Sequence, residues 1–316
     1  MSSPLQFYRT FRTLMQEHGI RHVLTSGMAC VEYGIQQTTK DTDWIVHPGN
    51  LSKLIDMLQE LEGGLTGRNW RIAYRPLFGA PLVEPYLASG WTSHLLIQDD
   101  ATSSEHHLDF FGKPPRLTVE RALADPEARI ADRLIVAQMK KTDRDKDWPA
   151  VESLSQQAFH FGDPEAVLHL RDPALLADAW KAIPPGNRPD YLIRRPLLSE
   201  LDDPRHGLSR CLAIERALWE QANKLRYRSY QHEWKEFLRR WRKEDDFAWP
   251  ADGPFTSQHA LVQEAAARHQ LPIDPLGGEP GRRDIVAHAK AEVGQVFAAD
   301  ATLLDAISPP WNEILP

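Results

Sequence analysis

The reading of this chain turns on Lys40-Asp41-Thr42-Asp43-Trp44-Ile45-Val46, together with Thr25-Ser26-Gly27 just upstream. The later run passes from charged to apolar and reads as a β-strand over Asp43 to His47. Side chains alternate between the two faces of a strand, so residues two apart share a face with Cα atoms about 6.6 Å apart. Asp41 and Asp43 therefore put two carboxylates on one side of the strand opening, and Lys40 points away from Asp41. Paired carboxylates suit hard divalent cations, which take oxygen ligands and bridge to substrate phosphates. The small residues Ser26 and Gly27 sit where a strand turns into a helix, and backbone N–H groups at a helix start meet phosphates. These features together point to chemistry on nucleotides.

A third acidic residue, Asp109, lies in His107-Leu108-Asp109-Phe110-Phe111, a charge inside an apolar strand. A carboxylate in such a setting is costly unless paired or metal-bound. His106 and His107 precede it, but adjacent strand residues face opposite ways, which argues against a shared transition-metal site. No Ser-His-Asp or Cys-His arrangement accompanies the thirteen histidines.

The run Val23-Leu24-Thr25-Ser26-Gly27-Met28-Ala29-Cys30-Val31-Glu32-Tyr33-Gly34, continued through Thr39-Lys40-Asp41-Thr42-Asp43, resembles the start of a nucleotidyltransferase-fold domain. Within that superfamily it is most similar to the AbiEii-like and related small prokaryotic nucleotidyltransferases. Their pattern here is roughly His-Gly-x-x-Arg-x-Thr-x-Asp-x-Asp. Tyr33-Gly34, with tyrosine at the histidine position, and Thr39-Lys40-Asp41-Thr42-Asp43 align with it; Gln37 stands in the place of the arginine, and the turn reads Ser-Gly rather than Gly-Ser.

The resemblance implies a metal-dependent nucleotidyltransferase that moves an NMP group from an NTP to an acceptor. Asp41, Asp43 and Asp109 would be the catalytic and metal-binding residues, with Mg²⁺ or Mn²⁺ as cofactor. Ser26 and Gly27 would meet the phosphates. Arg144-Asp145-Lys146-Asp147 resembles a segment that follows the catalytic sheet in these families, so Lys140, Arg144 and Asp145 join the nucleotide-binding candidates. The family includes toxins of toxin–antitoxin and phage-defence systems, which implies RNA as one acceptor class and an antitoxin protein as one partner class. Gln37 and the Ser-Gly turn favour the alternative, a nucleotide or macromolecule binding module that keeps the fold without turnover.

The expected fold class is α+β, a mixed β-sheet flanked by helices and followed by a mostly helical C-terminal domain. Helices are expected from Leu5 to His18 on the spacing of Leu5, Tyr8, Phe11 and Met15, and from Gly27 to Tyr33. Another follows Asn50 and closes at Gly63-Gly64. His22 to Thr25 reads as the first strand. Trp70 to Leu77, Ser93 to Ile97 and His107 to Phe111 supply three more, with a hairpin turn between Gln98 and Glu105. After Pro114-Pro115 the pattern turns helical, with Glu120 to Ala124, Ile130 to Lys141 and Trp148 to Phe159 first. A boundary near residue 160 divides a nucleotidyltransferase-like domain, 1–160, from a helical domain, 161–316.

The chain has 316 residues, a net charge of −7 and a sequence pI of about 6.0, so no global basic field advertises nucleic-acid binding. Its two cysteines, Cys30 and Cys211, match no zinc or disulfide spacing and read as reduced thiols. The N-terminus lacks an apolar leader pattern and no run approaches a bilayer span, so a cytoplasmic protein with no membrane partner is expected. One local basic feature stands out. Between Leu218 and Lys243 an apolar stripe (Leu218, Ala222, Leu225, Tyr230, Trp234, Phe237, Leu238, Trp241) is flanked by Lys224, Arg226, Arg228, Lys235, Arg239, Arg240, Arg242 and Lys243. Such a helix either contacts RNA or simply buries its stripe and solvates its basic face.

Overall fold

The structure, a computed structural model, describes residues 4–64, 67, 70–99, 104–244, 247–250 and 253–316. It packs as two units that interleave along the sequence rather than meeting at a single point near residue 160. The first comprises Met1–Pro114, Thr118–Ala131 and Tyr230–Pro275; the second comprises Pro115–Leu117, Asp132–Ser229 and Leu276–Pro316.

The first unit runs α1 (Pro4–Glu17), β1 (His22–Thr25), α2 (Ser26–Glu32), β2 (Asp41–Val46), α3 (Leu51–Glu62), β3 (Trp70–Tyr74), α4 (Glu84–Ala88), β4 (Thr92–Asp99), β5 (Ser104–Phe111) and α5 (Val119–Ala122). The five strands form one mixed sheet in the order β1-β2-β5-β4-β3. β2 and β5 are parallel, and every other neighbouring pair is antiparallel. One face is apolar: Trp44, Leu108, Phe110, Leu95, Ile97 and Ile72 are all buried. Helix α1 covers part of that face, with Phe11 against Trp44 and Phe110 and the Phe7 ring stacked on His106 at 3.6 Å. Burial pushes the His106 imidazole down to about 4, so it sits neutral in the core. The turn residues 100–103 lie outside the described residues, as does the side chain of the stripe position Leu5.

Two boundaries differ from the sequence reading for identifiable reasons. β2 begins at Asp41 rather than Asp43 because Asp41 pairs in register with His107 on β5. The helix expected from Ile130 begins only at Arg133, because residues 129–131 run extended along β1: Leu24 N–H donates to the Arg129 carbonyl, and Ala131 N–H donates to the Leu24 carbonyl. That pairing covers one edge of the sheet.

The other edge, β3, is covered by α11 (Phe255–Arg268). The Gln258 side chain accepts from Tyr74 N–H at 3.2 Å and donates to the Ile72 carbonyl at 3.0 Å, standing in for a neighbouring strand. Trp249 Nε1 donates to the Tyr74 carbonyl at 2.9 Å. Unpaired strand edges template aggregation, and here both are occupied.

The second unit is helical: α6 (Arg133–Met139), α7 (Trp148–His160), α8 (Pro173–Ala182), α9 (Arg188–Arg194), the first part of α10 (Leu208–Trp241), α12 (Gly278–Phe297), α13 (Ala301–Ile307) and α14 (Trp311–Ile314). Leu168, Leu170, Leu176, Trp180, Leu197, Leu198, Ile214 and Leu304 are among the members of its core. An ion cluster is buried in this unit, in which Arg195 forks onto Glu215 at 2.9 and 2.8 Å. The α+β class, with a mixed sheet and a helical C-terminal region, stands as expected. Both cysteines are free and buried. Among the described residues, no helix is long and apolar enough to cross a membrane.

Candidate active site on the open face of the sheet

The sheet face opposite α1 carries the polar residues. Strand alternation is legible in burial: Thr42, Trp44, His106, Leu108 and Phe110 are buried, while Asp41, Asp43, His107, Asp109 and His94 are half-buried. Cross-strand partners share a face. Register then aligns a row across the whole sheet. Thr25 is opposite Asp43, Asp43 is opposite Asp109, and Asp109 is opposite His94, whose carbonyl accepts from Arg75 N–H at 3.0 Å. Asp41 and His107 form the adjacent pair on the same face. The structure thus brings Asp41, Asp43 and Asp109 together on neighbouring central strands. Asp109 is on the middle strand of the sheet, not on an edge.

Three further residues complete the cluster. His94 Nδ1 lies 2.7 Å from Asp109 Oδ1, and His107 Nδ1 lies 2.9 Å from Asp41 Oδ1. The Arg75 guanidinium faces both carboxylates, 3.6 Å from Asp109 and 3.8 Å from Asp41. The histidine contacts are hydrogen bonds by distance; the arginine contacts are attraction without a formed hydrogen bond. The two histidines therefore orient the carboxylates, and Arg75 balances their charge. Tyr8 lies beneath the opening of β2. Burial raises its pKa, and the nearby Asp41 and Asp43 carboxylates raise it further against a lowering hydrogen bond from Thr42, so it stays a neutral phenol.

At the end of the row, Thr25 leads into α2 through Ser26, which adopts a left-handed φ of 55°. That conformation is unusual for a residue with a side chain and marks a sharp turn held by its surroundings. A Cβ on Gly27 would come within 2.7 Å of Thr39 Oγ1. Thr39 in turn donates to the Asp41 carbonyl at 3.2 Å, so the bare Gly27 lets the segment leading into β2 lie close against α2.

Lys140, Arg144 and Asp145 belong to the second unit and are partnered there. Lys140 Nζ and Arg144 Nε both donate to the buried Asp147, at 3.0 and 2.7 Å, and Thr142 Oγ1 adds a third bond at 2.6 Å. Burial alone would raise the Asp147 carboxyl. Lys140, the Thr142 hydroxyl and Arg144 outweigh it and hold the pKa below the usual carboxylate range. Asp145 accepts from Arg216. The basic run lies on α10 as far as Trp241, with Arg242 and Lys243 just past its end, and the helix's buried residues include Leu218, Ala222, Tyr230, Trp234, Phe237 and Trp241. Among the cations of the run, Arg239 pairs with Glu236, Arg240 donates to the carbonyls of His269 and Gln270 beyond the end of α11, and Arg242 lies over the Phe247 ring.

Sequence reasoning missed Arg75 and His94. The alternation of Trp70, Ile72 and Tyr74 with Arg71 and Ala73 does place Arg75 on the polar face, but which strand lies beside β3 is a non-local fact. A cleft of about 420 Å³, lined by His47, Glu84, Lys113 and Thr118 among others, lies at the far end of β2 from Asp41 and includes none of the three carboxylates.

Carboxylate oxygens are the ligand type a divalent ion takes. Among the described residues, no group of three His, Cys, Asp or Glu side chains is already assembled to hold one. Asp41 and Asp109 each turn an oxygen toward a histidine, and Arg75 faces both. No family model, curated protein or solved structure matches the chain.

Proposed function

We propose that the first unit is a metal-dependent nucleotidyltransferase that transfers an NMP group from an NTP to an acceptor hydroxyl or phosphate. The observation that carries this reading is the convergence of Asp41, Asp43 and Asp109 on the open face of neighbouring strands, beside the Thr25-Ser26-Gly27 turn. Asp41, Asp43 and Asp109 would hold Mg²⁺ or Mn²⁺, which when bound supplies charge stabilisation at the attacking and leaving oxygens. Asp109 takes up the acceptor proton, and His94 holds its carboxylate in position through Nδ1. His107 does the same for Asp41. Ser26 and Gly27 turn their backbone toward the phosphates. RNA is one acceptor class for this chemistry, and an antitoxin protein one partner class.

A second reading is supported by the same cluster. His94, His107 and Arg75 already engage Asp41 and Asp109, and Gln37 replaces an arginine of the resembling pattern, as in a binding module without turnover. Incubation with each labelled NTP, Mg²⁺ and total cellular RNA or protein separates the two. Label transfer that disappears in Asp41→Asn/Asp43→Asn supports the enzyme. Mg²⁺-dependent NTP binding without transfer to any acceptor supports the module.

A further inference from the structure

Arg75 faces the acidic row from the β3 side of the sheet. It follows the last residue of β3, and its backbone N–H is fixed to the His94 carbonyl at 3.0 Å. Its side chain then reaches back over β4 and β5 toward the β2 residue Asp41, meeting Asp109 on the way. The guanidinium is mostly buried, with 19% of the side chain exposed, and Asp109 is 17% exposed. Two carboxylates on one face repel each other, and a cation between them relieves that repulsion. Both separations, 3.6 and 3.8 Å, exceed hydrogen-bonding distance. Arg75 is therefore drawn to the pair by charge without being locked by directional bonds, whereas the histidine contacts at 2.7 and 2.9 Å are locked.

We propose that Arg75 is a built-in counter-cation that occupies the place of the divalent ion between Asp41 and Asp109, and that on loading it swings off the carboxylates to contact the triphosphate. This inference rests on the metal-dependent reading above and adds a specific residue and order to it. A guanidinium drawn off the carboxylates can make with a phosphate the planar, two-donor match that its single-nitrogen contacts at 3.6 and 3.8 Å lack here. Free metal must displace Arg75 and gains nothing in exchange. A metal–triphosphate complex displaces it and offers it a new partner. Arg75 thus disfavours metal alone and favours metal with triphosphate.

The two effects have opposite signs, which makes the proposal separable from a purely structural role. Mn²⁺ alone is measured by electron paramagnetic resonance, and magnesium-saturated tripolyphosphate by calorimetry, on the full chain. Arg75→Met is expected to bind Mn²⁺ five- to tenfold more tightly than wild type and Mg²⁺–tripolyphosphate at least tenfold more weakly. Arg75→Lys keeps a charge without the fork and falls between. If the melting temperature shows that Arg75→Met is poorly folded, Arg75→Gln carries the same comparison.

Unchanged or weaker Mn²⁺ binding in the neutral variant overturns the inference. When that Mn²⁺ binding is lost in Asp41→Asn/Asp43→Asn, the metal reading still stands and only the role of Arg75 falls. If neither wild type nor the arginine variants bind Mn²⁺, the metal reading itself fails and the inference with it.

Discussion

At the scale of single residues, the site depends on side chains held in one orientation, and His94 shows how. Its ring lies against Gly79, where an added Cβ would come within 2.8 Å of His94 Cδ2 and 2.7 Å of the Thr92 carbonyl oxygen. Because the Thr92 oxygen is backbone, Gly79→Ala must shift either the strand or the ring. The expected cost is about 1–3 kcal/mol of overpacking, read as a lower urea midpoint. The His94–Asp109 bond should loosen with it, which the His94 Nδ1 chemical shift would report; a variant with wild-type stability and an unmoved shift would contradict this packing. Asp41 and Asp43 were legible in the sequence as a pair two apart at a strand opening, and Asp109 as a charge inside an apolar strand. Arg75 and His94 were not. They join the site only through strand order and register, which are set by pairing between distant segments.

At the scale of elements, the strands and the helices of the first unit were largely readable from period and caps, while the protection of the sheet edges was not. Gln258 appears in sequence as an ordinary polar residue of α11, yet it is buried and completes the edge of β3. Gln258→Leu leaves Tyr74 N–H and the Ile72 carbonyl without that partner. A buried polar group left unsatisfied costs about 1–3 kcal/mol, so a clear drop in chemical stability is expected, together with aggregation through the exposed edge. Light scattering during refolding checks the second effect, and a variant as stable and as soluble as wild type would show that the edge is not held this way. The basic helix was readable as an element, with its apolar stripe buried as expected. The partners of its cations were not: Arg240 reads as a free charge in sequence but caps carbonyls at the end of α11.

At the scale of the whole molecule, the division into units was the least legible feature. Residues 230–275 return to the first unit after the chain has built most of the second, and α10 contributes to both. Nothing local marks such a return, because it is decided by which surface each segment buries. Charge burial in the second unit gives a test at this scale. Lys141 is buried, with Nζ 3.3 Å from the Leu168 carbonyl and 4.5 Å from the Trp219 ring centre. Burial brings its pKa down to about 7, with Arg195 and Arg171 reinforcing the shift and Glu215 and Glu313 opposing it. Between about 7 and the ordinary lysine value of 10.5, the unfolded chain binds more protons at this residue than the folded one, so its contribution to stability rises with pH and is unfavourable below that window. Lys141→Met should therefore be more stable than wild type at pH 6–7, by an amount that shrinks as pH rises toward 10. Melting curves across that range check this, and an advantage that grows with pH would contradict it.

Metal–nucleotide binding by the carboxylates on the open face is the proposal on which the proposed function and the role of Arg75 both rest. The most direct measurement is equilibrium binding of NTP with and without Mg²⁺ to wild type and to Asp41→Asn/Asp43→Asn, with melting temperatures recorded alongside. Both changes are nearly isosteric at half-exposed positions of β2, so the fold is expected to persist. Mg²⁺-dependent binding is expected in wild type, with its loss in a variant that still melts cooperatively. Unchanged, Mg²⁺-dependent nucleotide affinity in the folded double variant would contradict the proposal.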